Sequence, residues 1–211
     1  MTVTTACLLV VFGIYAAGNW WAVEHGNQRL EWLCKPAAMV ALIGAAIALS
    51  PDDPAVKTAF IIGLVLSLAG DVFLMLPSDR FLYGLISFFA AHVAYVAGFL
   101  LAGPEPVLLL VGLVAVVAGV VLVGRPLVTR VKAGDQAEFA VPVMAYMGVI
   151  SAMVVTAFGA GNPFGIGGAL SFYASDATLG WNKFVTEIPH GRLAVMVTYH
   201  LGQFLLVLSL I

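Results

Sequence analysis

The strongest constraint on this chain is its division into apolar runs, each about 20 residues long, separated by short polar connections. A run of that length with few charges crosses a bilayer as a helix, because in hydrocarbon each backbone amide and carbonyl must be satisfied inside its own segment. Read in order, the runs make eight spans, at approximately 3–23, 30–50, 55–77, 80–102, 105–124, 138–159, 164–186 and 191–211. None shows the alternation of an outer-membrane β-strand, about ten residues to a segment. The chain is 62% hydrophobic and 9% charged, against about 25% charged in soluble domains, so no soluble domain fits beside the spans. The expected architecture is an all-α integral membrane protein: a single transmembrane domain over 1–211 with eight transmembrane helices. The first run lacks a basic leading segment and a small-residue cleavage site, so it reads as a retained helix.

Basic residues set the expected orientation. Arg29, Arg80, Arg125, Arg130, Lys132 and Arg192 border the connections on one side, and Lys57 stands alone on the other. Positive residues in short loops mark the cytoplasmic side. Both termini are therefore expected to be non-cytoplasmic and, in a bacterial cell, the membrane is the inner one. The longest connection, 125–137, carries three of these charges and reads as lying on the membrane surface. Pro36 and Pro142 fall near the starts of their spans, where a missing amide is tolerated or a kink is made. A faint internal echo is present. Pro36 and Pro142, and Asp71 and Asp176, are offset by nearly the same interval, about half the chain. Two parallel four-helix repeats would place a site between the halves; chance alignment of a few polar residues is the alternative.

The polar residues inside the spans carry the functional argument. Asp71 lies near the end of the third span, about a turn and a half before Pro77. An acid at membrane depth costs about 2.5–3.5 kcal/mol on insertion scales, so such residues face a protein interior and mark function by default. Ser67 shares its helix face, and Gly63, Ser67 and Gly70 form a small-residue stripe that lets a neighbouring helix approach. The structural alternative is an acid satisfied by a lysine or tyrosine partner. Span seven is too polar to face lipid: Ser171, Ser175, Thr178 and Asn182 form a stripe, with Asp176 and Lys183 beside it. That stripe suits helix–helix hydrogen bonding or a wet cavity. His92 and Tyr95 share one face of span four, and Tyr199, His200 and Gln203 form a similar patch on span eight. At ~1.5 Å per residue, Lys35 lies about 8 Å, Asp71 about 9 Å and Asp176 about 15 Å in from the cytoplasmic end. The polar set thus gathers mainly in the cytoplasmic half and around the middle of the membrane, as the lining of one cavity would.

Two buried acids that approach each other cannot both ionise cheaply, so a pair can supply one proton donor and one anion. Such a pair suits a reaction through an oxocarbenium ion. If Asp71 and Asp176 never meet, each is instead a structural acid. Buried histidines are often packing residues, and no HxxxH or HExxH spacing supports a metal. Cys7 and Cys34 make no disulfide or metal framework. Ser67 and Ser175 lack the context of a serine nucleophile. No basic cluster suggests nucleic acid. Lys35, Lys183, Arg80 and Arg192 near the cytoplasmic mouth would ordinarily snorkel to head groups and could bind one lipid phosphate.

These residues together resemble the YhhN-type lysoplasmalogenases. The resemblance is carried by Lys35-Pro36, by Ser67-Leu-Ala-Gly70-Asp71, and by Arg80-Phe81 with Gly84, Phe88, His92 and Tyr95. It continues through Val141-Pro142 and Tyr146, Gly168-Ala-Leu-Ser-Phe172 leading into Ser175-Asp176, and Tyr199 with Gln203. It implies a hydrolase of the vinyl ether bond of lysoplasmalogens, or of a related lyso-phospholipid. The products would be a fatty aldehyde and glycerophospho-ethanolamine or -choline. It implies Asp71 and Asp176 as the acid–base pair, in either order, with His92, Tyr95 or His200 orienting water. Lys35, Ser67, Tyr146, Ser175, Asn182, Lys183, Tyr199 and Gln203 would line the substrate site, with no metal or organic cofactor. The rival class is a small transporter or proton-linked carrier, which buried acids on repeated halves suit equally well.

Overall fold

The computed structural model describes residues 2–76 and 80–211. Pro77, expected to close the third span, lies outside them. Every regular element among the described residues is helical: α1 (Val3–Glu24), α2 (Gln28–Ala48), α3 (Pro54–Met75), α4 (Phe81–Leu101), α5 (Pro106–Gly119), α6 (Arg125–Ala133), α7 (Ala140–Ala160), α8 (Pro163–Phe184) and α9 (Gly191–Leu208). The connections are tight because their residues cap helices. Asn27 accepts from the Leu30 amide, Asp53 from Ala55 and Val56, and Asn162 from Phe164 and Gly165. Pro54, Pro106 and Pro163 open their helices, where the amide they lack has no helical partner to serve. Among the described residues seven helices are long and apolar enough to span a bilayer. α8 matches them in length; of its polar residues Ser175 is buried, and Ser171, Asp176, Thr178, Asn182 and Lys183 are half-buried.

One boundary differs from expectation. Segment 125–133, expected as part of a connection, is helical and continues the fifth span. A π-helical turn, Val120–Gly124, joins α5 to α6, and the Arg125 amide reaches back to the Val120 carbonyl. Pro126 explains the widened turn, since it has no amide to give Leu122. Leu127 and Val131 of α6 then pack with Ala140 and Val143 of α7, so this end of the bundle is closed by helix.

Sequential helices run up and down. Thr2, the 49–53 connection, Ala102, Asn162 and Ile211 gather at one end. Lys57 is at that end, its ammonium bonding the Ile47 and Leu49 carbonyls at 2.6 and 2.5 Å. The other end holds Arg29, Arg80, Arg130, Lys132 and Arg192, bordering or within the alternate connections. The α1/α2, α3/α4 and α8/α9 hairpins are the tightest units, α4 meets α7, and α9 closes the ring onto α1 and α2; α5 lies outside, chiefly on α7. The expected small-residue stripe does bring α3 and α4 together. A Cβ on Gly63 would stand 2.5 Å from the Tyr95 ring, one on Gly70 2.6 Å from Phe88, and one on Gly98 2.6 Å from Phe60. α8 and α9 touch backbone to backbone at Gly168 and Gly202, where added Cβ atoms would meet main-chain atoms at about 3 Å.

Candidate active site

Close packing of α3 on α4 and of α8 on α9 carries both aspartates inward. Asp71 is 1% exposed, and its partners come from two other helices. The Lys35 ammonium of α2 lies 3.0 Å from Oδ1. The Tyr199 hydroxyl of α9 donates to Oδ2 at 2.5 Å. Lys35, itself buried, has Asp71 as its ion-pair partner and also lines the cavity described below. A buried charge with both a counter-ion and a hydrogen-bond donor is stable in place, whereas loss of one partner leaves the other uncompensated.

Asp176 is held differently. The Tyr146 hydroxyl of α7 donates to its Oδ2 at 2.5 Å. His92 Nε2 of α4 stands 3.8 Å from the same oxygen. Among the described residues no lysine or arginine pairs with this carboxylate, and its side chain is 15% exposed. His92 is oriented by its other nitrogen, which is 2.5 Å from the Phe88 carbonyl. The Phe172 ring lies between the two clusters, 4.7 Å from the His92 ring and 5.3 Å from Tyr199, both edge-on.

Two cavities meet at Asp176. The first opens at the basic end and is lined by Lys35, Asp71, Ser175, Asp176, Asn182, Lys183, Arg192 and Tyr199, with Glu31 and Trp32 at its rim. The second is an apolar slot among α4, α6, α7 and α8, walled by Leu85, Val143, Met147, Ile150 and Phe184, with Tyr146, Tyr173 and Asp176 as its polar residues. Leu74, Phe88, Asp176 and Leu179 belong to both walls.

The remaining candidate residues divide. Ser175 lies in the cavity wall, but its hydroxyl donates to the Val195 carbonyl at 3.0 Å and ties α8 to α9. Asn182 accepts from the Ile188 amide at 2.9 Å and shapes the 185–190 connection. The Lys183 ammonium sits 4.5 Å over the Phe81 ring. Ser67, Tyr95, His200 and Gln203 are buried and line neither cavity. Tyr95 donates to Gln203 Oε1 at 2.7 Å, and His200 Nδ1 accepts from Trp20 Nε1 at 3.0 Å. Three features escaped the sequence reading: Trp20 as the anchor of His200, Phe172 as the spacer between clusters, and the Arg192–Glu31 ion pair at the mouth, 3.0 Å. Phe172 stood in a quoted motif without a role; nothing in the linear spacing couples Glu31 or Trp20 to helix α9. Among the described residues no three His, Cys, Asp or Glu side chains are grouped to hold a metal ion.

The comparisons with known proteins agree with one another. Human lysoplasmalogenase TMEM86B is 32% identical over 187 residues, covering 87% of this chain and 77% of that protein. The pig (Sus scrofa) lysoplasmalogenase TMEM86B is 35% identical over 146 residues, covering 69% of this chain and 60% of its own length. Human lysoplasmalogenase TMEM86A is 32% identical over 164 residues, 72% of this chain and 65% of that protein. No solved structure matches. The model of the YhhN family matches residues 30–210, a stretch containing both aspartates and all their partners, and the chain belongs to that family.

Proposed function

We propose that this chain is a membrane-embedded hydrolase that cleaves the vinyl ether bond of a lysoplasmalogen, releasing a fatty aldehyde and a glycerophospho head group. One observation carries the reading: Asp176 is shared by a polar cavity and an apolar slot. A single-chain ether lipid is polar on one side of its vinyl ether and apolar on the other. With its head group among Asn182, Lys183 and Arg192 and its chain in the slot, the scissile bond falls at the junction. The names of the relatives support the same chemistry.

The division of labour follows from the two environments. Asp71, matched by Lys35 and Tyr199, is the fixed carboxylate. Asp176, which pairs with no lysine or arginine among the described residues, delivers its proton to the vinyl carbon one removed from oxygen. The π electrons form the new C–H bond and leave an oxocarbenium ion, which the anionic cavity wall stabilises. Water adds, and the hemiacetal collapses to aldehyde and free glycerol hydroxyl. The chain's own residues supply every proton step. The basic residues at this end support a cavity mouth on the cytoplasmic side, with both termini opposite.

Purified protein in detergent should release aldehyde from lysoplasmalogen. A carrier or a passive lipid-binding protein would release none, and that outcome would end the proposal.

A further inference from the structure

His92 is wholly buried and touches neither cavity, yet its Nε2 faces the Asp176 carboxyl. The Phe88 carbonyl only accepts, so Nδ1, 2.5 Å from it, carries a hydrogen. In a neutral ring the bare lone pair is then on Nε2. That nitrogen has no hydrogen-bond partner within reach and stands 3.8 Å from Asp176 Oδ2. An imidazole lone pair facing a carboxylate is repulsive; with one proton between them the contact becomes attractive. The other groups facing this pair are the Tyr146 hydroxyl from α7 and the Phe172 ring from α8. Tyr146 donates to the carboxylate and leaves Nε2 free. Asp71, on α3, already has its own cation in Lys35.

We infer that Asp176 and His92 form a two-residue unit that holds a single proton, and that His92 is the positioning residue that keeps this proton on Asp176 and restores it after each turnover. The kinetic side of this inference rests on the proposed reaction; the protonation itself does not. The proton passes from Asp176 to the substrate carbon, leaving a carboxylate. The water that adds to the oxocarbenium ion loses a proton to the Asp176–His92 unit, which returns to its starting state. The hemiacetal hydroxyl proton goes to the departing glycerol oxygen, so one water is consumed and no other reactant is needed.

Infrared difference spectroscopy of the protein in detergent, without substrate, tests the protonation. The wild-type protein should show a protonated-carboxyl C=O stretch at neutral pH that is lost in Asp176→Asn and shifted in both His92→Gln and Tyr146→Phe. A band that survives Asp176→Asn, or does not move in His92→Gln, overturns the inference. With lysoplasmalogen, His92→Gln keeps an acceptor but cannot take a proton. Its kcat should fall roughly 10²–10⁴-fold with KM little changed, and the acid-side limb of the pH–kcat profile should disappear. An unchanged profile, or a rise in KM alone, would make His92 a packing residue. Absence of aldehyde from the wild-type protein would instead fail the proposed reaction and leave the spectroscopic result standing.

Discussion

Asp71 and Asp176 each lie on the third span of their half of the chain, and the fold treats them differently. The arrangement is crosswise. Asp71 is held by Lys35 from its own half and Tyr199 from the other half. Asp176 is held by Tyr146 from its own half and faced by His92 from the other. What differs is a single cation. Lys35 neutralises the first acid, which is buried completely; the second has hydroxyl and imidazole for company and reaches both cavities. The comparison teaches that two acids of one residue type receive different surroundings from their partners, and the proposed roles of anion and proton donor rest on that difference. It also shows how far the two halves resemble each other. Both contribute helix hairpins in the same order, but α9 closes the ring against α1 and α2 while α4 closes it against α7, leaving α5 outside.

The comparison breaks most visibly at the aspartates. Asp176→Asn should lower aldehyde release roughly 10²–10⁴-fold while thermal stability and lysolipid binding stay near wild type. Asp71→Asn should also abolish turnover, but with a loss of about 3–5 kcal/mol in stability, because it strands the Lys35 ammonium in the interior. The double variant should lose little activity beyond either single one, as residues acting as a unit do. Equal stability of the two single variants would erase the asymmetry.

Lys35→Met tests the same cation from its own side. A destabilisation of about 3–5 kcal/mol is expected, largely recovered when Asp71→Leu is added, since a buried ion pair replaced by apolar groups is often neutral. Denaturation of the single and double variants measures this. A folded Lys35→Met whose KM for lysolipid rises sharply would assign Lys35 to the phosphate instead.

The tyrosines sharpen the contrast at smaller scale. Tyr199→Phe should cost about 1.5–3 kcal/mol, the worth of a hydrogen bond to a charged group. Tyr146→Phe should cost less, because the partly exposed Asp176 can accept from water. Thermal unfolding in one detergent orders the pair. The smallest effect belongs to Ser175→Ala, about 1 kcal/mol with unchanged kcat, because its hydroxyl serves the Val195 carbonyl and not the cavity.

What the sequence determined by itself was the class of fold and the identity of the polar set. Eight apolar runs leave the backbone no solution but helices, and short connections make neighbours antiparallel. The small-residue stripe at Gly63 and Gly70 predicted a close partner, and α4 is that partner. The sequence also singled out the residues of both clusters, since polar groups at membrane depth are few and costly. It read segment 125–133 as part of a connection, because three basic residues follow the apolar run; the helix continues through it, and a π turn accommodates Pro126. Only the tertiary structure decided which partner each acid has. Lys35 near Asp71 and His92 near Asp176 depend on the rotation of whole helices about their axes. That rotation is set by glycine contacts such as Gly168 against Gly202 and by aromatic rings such as Phe172. Spacing along one helix reports which residues share a face; the face that meets it belongs to another helix, and packing alone selects it.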